Sequence, residues 1–499
     1  MGKFADTMRG LSNFTLSENG GRVVSTTGGG ALLDLFAQIG SIRDKDMSEV
    51  CFKWLDARRE NEELADNLVL YARDIRNGGC GERKVGRELL SMLATVEPKK
   101  VIRNFDRIVA CGRWDDLFEF IGNPEVEPYM WEFIAEQFYK DVKNYSEGKP
   151  ISLLCKWLKS PNTSSKESRQ IAKTTYKALG LTEAKYRKAL AKLRKYTNVV
   201  ERTMSDREWD SINFEAVPSI AMSRYQNCFK KNCPENFNSY MEALFNGEAK
   251  VNAGAITPTT ICEKFLENGG ETYWDEWSRY GHKNGKILTP VDEAQWDALP
   301  NYVEGENDVV IMADISGSMQ GKPLAASVGL ASYFAQRNKG AYSNLFMTFA
   351  GDPKFVSLAD CNTAEDCFIK TVSGTAAYNT NMDKAFKAIY DVAVETRETP
   401  KAIVVVSDGE MDRWVQDKIS DDICSKWNSK LIAEGLNPIK VISWNVAARN
   451  DTHIAPASQW VSFCSGSSAG NFSHLIELIN YDGYEAMVKI LSKPQFQWK

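Results

Sequence analysis

Beyond residue 308 the chain alternates short, wholly apolar runs with segments of helical period, and this alternation restricts the fold more than any other feature. "DVVIMADIS", "SNLFMTFAG", "KAIVVVSDG", "IKVISWNV" and "WVSFCSG" are interleaved with "LAASVGLASYFAQR", "MDKAFKAIYDVAV" and "DKISDDICSKWNSKLIAEG". Strands without polar alternation are buried on both faces, as in parallel sheets covered by helices. The order predicts an α/β, Rossmann-like sheet over residues 301–499. In such sheets ligands bind at the carboxyl ends of the strands, where the loops line a crevice. There the first run ends in Asp314, Ser316 and Ser318, spaced two apart, and "AIVVVSDGEMD" ends in Asp408 with Asp412 just beyond. A carboxylate and two hydroxyls on one loop supply half an octahedral shell for a hard cation such as Mg2+. Thr380 stands directly before a helical run, where a hydroxyl caps the helix or reaches the same metal.

Up to about residue 290 the period is helical instead. "GALLDLFAQIGSI", "ELADNLVLYARDIRNGG", "KVGRELLSMLATV", "KKVIRNFDRIVACG" and "YMWEFIAEQFYKDVKNY" place apolar residues every three or four positions, with Gly, Pro or Asn between the runs. Helices at this spacing predict stacked pairs of the HEAT type over residues 1–300, although no strict sequence repeat is present. The stretch "LTPVDEAQWDALPNYVEGEND", residues 288–308, has two prolines and a cluster of acids and reads as the linker.

Length and composition narrow the classes. With 499 residues the chain is too long for one typical core. No stretch approaches the roughly 20 apolar residues that span a bilayer, and the first residues lack an apolar signal core. A cytoplasmic protein with no membrane partner is expected. The eleven cysteines are scattered, with no C-x-x-C pair, which fits a reducing compartment. Three histidines argue against zinc or di-iron chemistry.

A net charge of -5 hides a local excess of the other sign. Between Lys156 and Arg202 there are thirteen Lys or Arg against three Glu. Within "AKYRKALAKLRKY", Lys185, Lys188, Lys192 and Lys195 fall three and four apart on one helix face, with Arg187 and Arg194 beside them. Tyr186, Leu190 and Leu193 form another face, suited to packing. Phosphates are the natural counter-surface for such a stripe, because neutralising them releases counterions. A solvated face or an acidic protein partner accounts for the same charges. "RNGGCGERK", residues 76–84, is Gly-rich and basic but lacks the order of a phosphate loop, and reads as a turn before a helix starting near Glu82. Arg73, Arg76, Arg83 and Lys84 are candidate additions to an RNA surface.

The metal loops, D-x-S-x-S followed by a Thr and an Asp, resemble the metal-ion-dependent adhesion site (MIDAS) of the von Willebrand factor A fold. The resemblance implies that Asp314, Ser316, Ser318, Thr380 and Asp408 hold a divalent cation, Mg2+ first, with Mn2+ or Ca2+ as alternatives. It also implies that an acidic group of a protein partner completes the shell. Further segments, "KWLKSPNTSSKES", "YRKALAKLRKYTNVVERTMSDREWDSINFEAVPSIAMSRY", "VVVSDGEMD", "VISWNV", "FCSGSSAGNF" and "CGRWDDLFEFI", resemble a family of fungi, plants, giant viruses and phages. That family is related to the Ro autoantigen, which joins a helical-repeat TROVE ring to a von Willebrand A domain. Asn381 and Asp383 follow Thr380, where many relatives have an acid directly after the threonine.

The expectation is therefore a multidomain protein: an all-α, HEAT-like TROVE domain, 1–300, and a von Willebrand A domain, 301–499. The resemblance implies a ribonucleoprotein role, binding structured or misfolded non-coding RNA. The alternative is a metal-dependent adhesion or scaffold module associated with a virus particle. An enzyme fits least, because a single shell of one or two carboxylates and hydroxyls is poorly suited to activating water.

Overall fold

The structure is a computed structural model and describes residues 13–16, 22–197, 199–269, 287–301, 309–373, 381–409, 420–447, 452–453 and 456–499. It opens with two short antiparallel strands, β1 (Phe14–Leu16) and β2 (Arg22–Val24). Helices α1 (Ala31–Gln38), α2 (Met47–Glu60), α3 (Glu62–Arg73) and α4 (Arg83–Val96) follow, and then the long α5 (Glu127–Ser146). Local chemistry sets these elements. At the start of α2 the Asp46 side chain accepts from Ser48 N at 2.9 Å, an N-cap, and the fully buried Trp54 donates Nε1 to Ala65 O at 2.8 Å, tying α2 to α3. "KKVIRNFDRIVACG" forms two short helices, Pro98–Arg103 and Phe105–Cys111, rather than one. Asn104 divides them, its amide turning back to Lys100 O at 2.8 Å, as Asn competes with the helical backbone.

Next come α6 (Lys166–Ala178) and α7 (Glu183–Tyr196), a hairpin that turns at Gly180, where φ is 63°. This left-handed conformation after a helix end favours glycine. Both helices pack on α5. Later helices include α8 (Pro258–Glu267) and α9 (Pro290–Asp297).

α9 corrects the reading of the stretch 288–308 as a linker over its described part, residues 288–301; residues 302–308 lie outside the described residues. Thr289 and Asp292 form a capping box, Pro290 occupies the first turn, and the buried Trp296 packs edge-on against Phe368 with ring centroids 5.0 Å apart. The acids that suggested a linker are in part structural: Glu293 accepts from the backbone N of Ala364 and Glu365.

The C-terminal part holds a six-stranded mixed sheet in the order β5-β4-β3-β6-β7-β8, formed by β3 (Val309–Ala313), β4 (Leu345–Thr348), β5 (Phe355–Ser357), β6 (Ala402–Ser407), β7 (Lys440–Asn445) and β8 (Val461–Ser465). Every junction is parallel except β4 with β5, an edge strand that the sequence reading lacked. β3 and β6 are buried at every position, as their apolar runs require. Between the strands run α10 (Lys322–Arg337), α11 (Ala364–Ser373), α12 (Met382–Thr396) and α13 (Ser420–Ala433), and α14 (Gly483–Leu491) follows the sheet.

Among the described residues one hydrophobic core runs from Leu32 through Val309 to Phe496, so the change of sequence character near residue 300 is not a break in packing. The halves touch closely enough to require glycine. A Cβ on Gly329 of α10 would lie 2.7 Å from Pro258 O at the start of α8, and one on Gly40 would lie 2.3 Å from Ser465 O. Beyond α14 the chain returns to the helical half. Phe496 is fully buried, edge-on to Tyr71 at 5.4 Å, Trp498 Nε1 donates to Asp66 O at 2.8 Å, and Lys499 N donates to Asn104 Oδ1 at 2.9 Å.

Candidate metal centre and nucleic-acid interface

The sheet register brings two of the candidate metal ligands together. Ala313 pairs with Val406, and Asp314 N donates to Val406 O at 3.2 Å, so Asp314 and Asp408 leave neighbouring strands at the same carboxyl edge. Both are buried, with relative exposures of 1% and 0%. Asp314 Oδ1 accepts from Ser316 N at 2.9 Å, which orients the carboxylate along its own loop. The hydroxyls of Ser316 and Ser318 lie 3.1 Å apart. Two carboxylates and two hydroxyls thus share one edge, an all-oxygen donor set of the kind that hard divalent cations take.

Thr380 and Asp412 lie outside the described residues. The helix cap foreseen for Thr380 is supplied by Asn381, whose side chain accepts from Lys384 N at 3.0 Å. Asp383 takes hydrogen bonds from Lys426 Nζ at 2.6 Å and Trp427 Nε1 at 2.8 Å, which ties it to α13. Among the described residues no three His, Cys, Asp or Glu side chains gather into a metal-holding group, so the set depends on its hydroxyls.

The helical half presents the second site. In α7 Tyr186, Leu190 and Leu193 are buried, while Lys185, Arg187, Lys188, Lys192 and Lys195 are exposed. Among the described residues the ion pairs of this segment stand at its ends, Lys156 with Glu201 and Arg202 with Asp206, away from the five exposed cations. Arg194 departs from the expectation. Half-buried, it donates to Cys155 O at 2.8 Å, Ser160 Oγ at 2.8 Å and Leu158 O at 2.6 Å, so its guanidinium braces the preceding loop and is not offered to a ligand. Sequence reasoning missed α6, where Lys166, Lys173 and Lys177 are exposed opposite the buried Ala172, Thr175 and Leu179. The spacing of seven and then four residues carried that signal.

Of the arginines suggested for an RNA surface, Arg73 is instead structural. Arg73, 2% exposed, pairs with the fully buried Asp116 at 2.8 Å, and Arg87 reaches the other oxygen of Asp116 at 2.6 Å. Arg76 donates to Ala110 O at 2.8 Å and to Gly112 O. Arg83 is exposed and Lys84 donates to Arg43 O at 3.1 Å. The Gly-rich loop between Arg73 and Arg83 folds around Asp74, whose Oδ2 accepts from Asn77 N at 2.7 Å and Gly79 N at 2.9 Å. Burial pushes the Cys80 thiol in this loop up to about 12, which keeps it protonated and unreactive.

Two family models match adjoining parts of the chain: Domain of unknown function (DUF2828) over residues 151–306 and Domain of unknown function (DUF7788) over residues 308–491. They meet where the sequence changes from helical to alternating character. A protein of Acanthamoeba polyphaga mimivirus, "Uncharacterized protein L728", is 25% identical over 433 residues, covering 79% of this chain and 72% of that protein. Among solved structures, the crystal structure of Deinococcus radiodurans RO (RSR) protein is similar at a TM-score of 0.37 and 15% identity, covering 89% of this chain and 92% of that one.

Proposed function

We propose that the protein is a Ro-like, non-catalytic RNA-binding protein of the cytoplasm. A HEAT-like, TROVE-type helical array carries structured RNA, and a von Willebrand A-type domain holds a divalent cation for a protein partner. The observation that carries the RNA reading is the outer face of α7, where five exposed cations stand on a helix whose opposite face is buried. Reversal of Lys185, Lys188, Lys192 and Lys195 to Glu is expected to weaken binding of a structured RNA by at least about tenfold and to lower the salt slope by about four. The loss should be alike for every sequence, since phosphate contacts position a ligand without reading its bases. Gel shifts at two salt concentrations check this. Equal affinities for variant and wild type would remove α7 from the interface, and no shift with either would favour the adhesion or scaffold reading.

For the cation, Asp314, Ser316, Ser318 and Asp408 are the described residues that would hold it, and Mg2+ fits their oxygen donors. When bound, it would supply a positive centre that accepts a carboxylate from the partner. A ligand that binds only the folded state stabilises it by about 2.7 kcal/mol at a hundredfold excess over Kd. A rise in Tm with added Mg2+ is therefore expected in the wild type and not in Asp314→Ala. An equal rise in both would put the metal elsewhere.

A further inference from the structure

We infer that the helical half carries a docking groove for a short peptide of the form Phe-x-Trp, that residues 494–499 are its resident occupant, and that a separate peptide of this kind can take their place. The groove lies between α3 and the short helix Phe105–Cys111, and its side chains hold the backbone of the segment. Arg107 Nη1 donates to Pro494 O at 2.9 Å and to Gln497 O, and Cys111 Sγ donates to Gln495 O at 3.7 Å. The buried Asn104 meets both polar groups of one residue: its Nδ2 donates to Lys499 O at 3.2 Å, and its Oδ1 accepts from Lys499 N at 2.9 Å. A side-chain amide matched to a peptide unit in this way holds main chain whatever its sequence.

Sequence enters through two aromatic rings. Phe496 is fully buried, with its ring centroid 5.4 Å from Tyr71 of α3 and 6.4 Å from His474 of the sheet half. Trp498 is half-buried and donates Nε1 to Asp66 O at 2.8 Å. A buried aromatic anchor flanked by main-chain hydrogen bonds is how short linear segments are bound. Lys499 Nζ lies 2.6 Å from Asp106 Oδ2 at the exposed end of the groove, so a cation after the second ring is favoured.

The segment is held as a ligand is held. Pro494, Gln497 and Lys499 are exposed, and within residues 492–499 the buried side chain is Phe496. Its regular structure is a single 3-10 turn, Pro494–Phe496. α14, which precedes it, has its own buried face in Ala486, Met487, Ile490 and Leu491, and so stays in place when the segment leaves. The chain swings out after Lys493, whose ammonium remains paired with Glu477 at 2.6 Å. A segment with few buried contacts beside a stable element opens locally, without global unfolding.

The test uses the full-length protein and a fluorescein-labelled synthetic peptide with the sequence of residues 492–499, SKPQFQWK. In Phe496→Ala/Trp498→Ala the resident segment loses both anchors. Anisotropy is expected to show the peptide bound by this variant at least about tenfold more tightly than by the wild type, where the tethered segment competes at an effective concentration of about millimolar. Alanine in place of the peptide's phenylalanine, or Arg107→Ala added to the protein, should each weaken binding about tenfold or more. A folded double variant that binds no peptide, or binds the phenylalanine-free peptide equally well, overturns the inference. If the double variant does not fold, amide exchange in the wild type decides. Phe496 N, bonded to Lys493 O at 2.9 Å, and Lys499 N are then expected to exchange at least about a hundredfold faster than the amides of α3. Exchange in step with α3 would mean that the segment opens only with the whole fold, and it too overturns the inference.

Discussion

Asp116→Ala is expected to cost about 3 to 5 kcal/mol of stability, the loss typical when one partner of a buried ion pair is removed. Asp116 is fully buried and holds two guanidiniums, Arg73 at 2.8 Å and Arg87 at 2.6 Å, and its Oδ2 also accepts from Arg113 N at 2.7 Å. Arg73 is itself 2% exposed, so the variant leaves a desolvated cation without its counter-charge. Asp116→Asn keeps the shape, removes the charge and should cost nearly as much. Arg83→Ala, at the exposed edge of the same cluster and 3.4 Å from Asp115, should cost under about 1 kcal/mol, the usual range for a surface ion pair. Urea unfolding midpoints separate the three, and a loss below about 1 kcal/mol for Asp116→Ala would show that the cluster is not holding the helices.

A second large effect concerns pH. His474 is buried between the halves: its Nε2 bonds Gly78 O at 2.5 Å, and its Nδ1 accepts from Lys493 Nζ at 3.1 Å. Burial first, and then the Lys493 charge, lower its pKa to about 4, against the raising effects of Gly78 O and Glu477. Between an unfolded value of 6.5 and a folded value of about 4, the unfolded chain binds a proton that the folded chain does not. Stability therefore falls as pH falls through this window, by about 3 kcal/mol for this one group. Other buried groups act in the opposite sense, since burial raises the carboxyls of Asp34, Glu82, Glu119 and Glu293. The informative measurement is thus the difference between wild type and His474→Gln, which should shrink by about that amount from pH 7 to pH 4. A difference that stays constant with pH would mean that the imidazole titrates normally.

Two features of the fold were legible for a common reason, that burial on both faces or on one leaves a periodicity in the residues. β3 and β6 are such runs, and Tyr186, Leu190 and Leu193 of α7 are buried where the helical period placed them. What escaped depends on tertiary partners. Arg73 and Asp116 carry charges that a sequence assigns to the surface, and their pairing, with Arg87 on the other oxygen of Asp116, allows them inside. Arg194 has the type and spacing of its exposed neighbours, yet three acceptors on the preceding loop and short helix claim it. The stretch 288–308 read as a linker because of its two prolines and cluster of acids, and the signal to the contrary was Trp296 within a capped helix. The carboxyl-edge position of Asp314 and Asp408 followed from their strands, whereas whether Thr380 joins them lies outside the described residues.

The return of the chain to its helical half sets a timetable for biosynthesis. Asn104 receives its partner, the Lys499 backbone, 395 residues later in the sequence. At ordinary translation speeds that separation lasts roughly 20 to 80 s. Throughout that interval Tyr71, Asp66 and Asn104 have emerged while Phe496, Trp498 and Lys499 have not been made. The helical half cannot complete its surface until residues 496–499 have been made, and nascent chains halted before residue 490 should be marked by chaperone occupancy and protease sensitivity around α3.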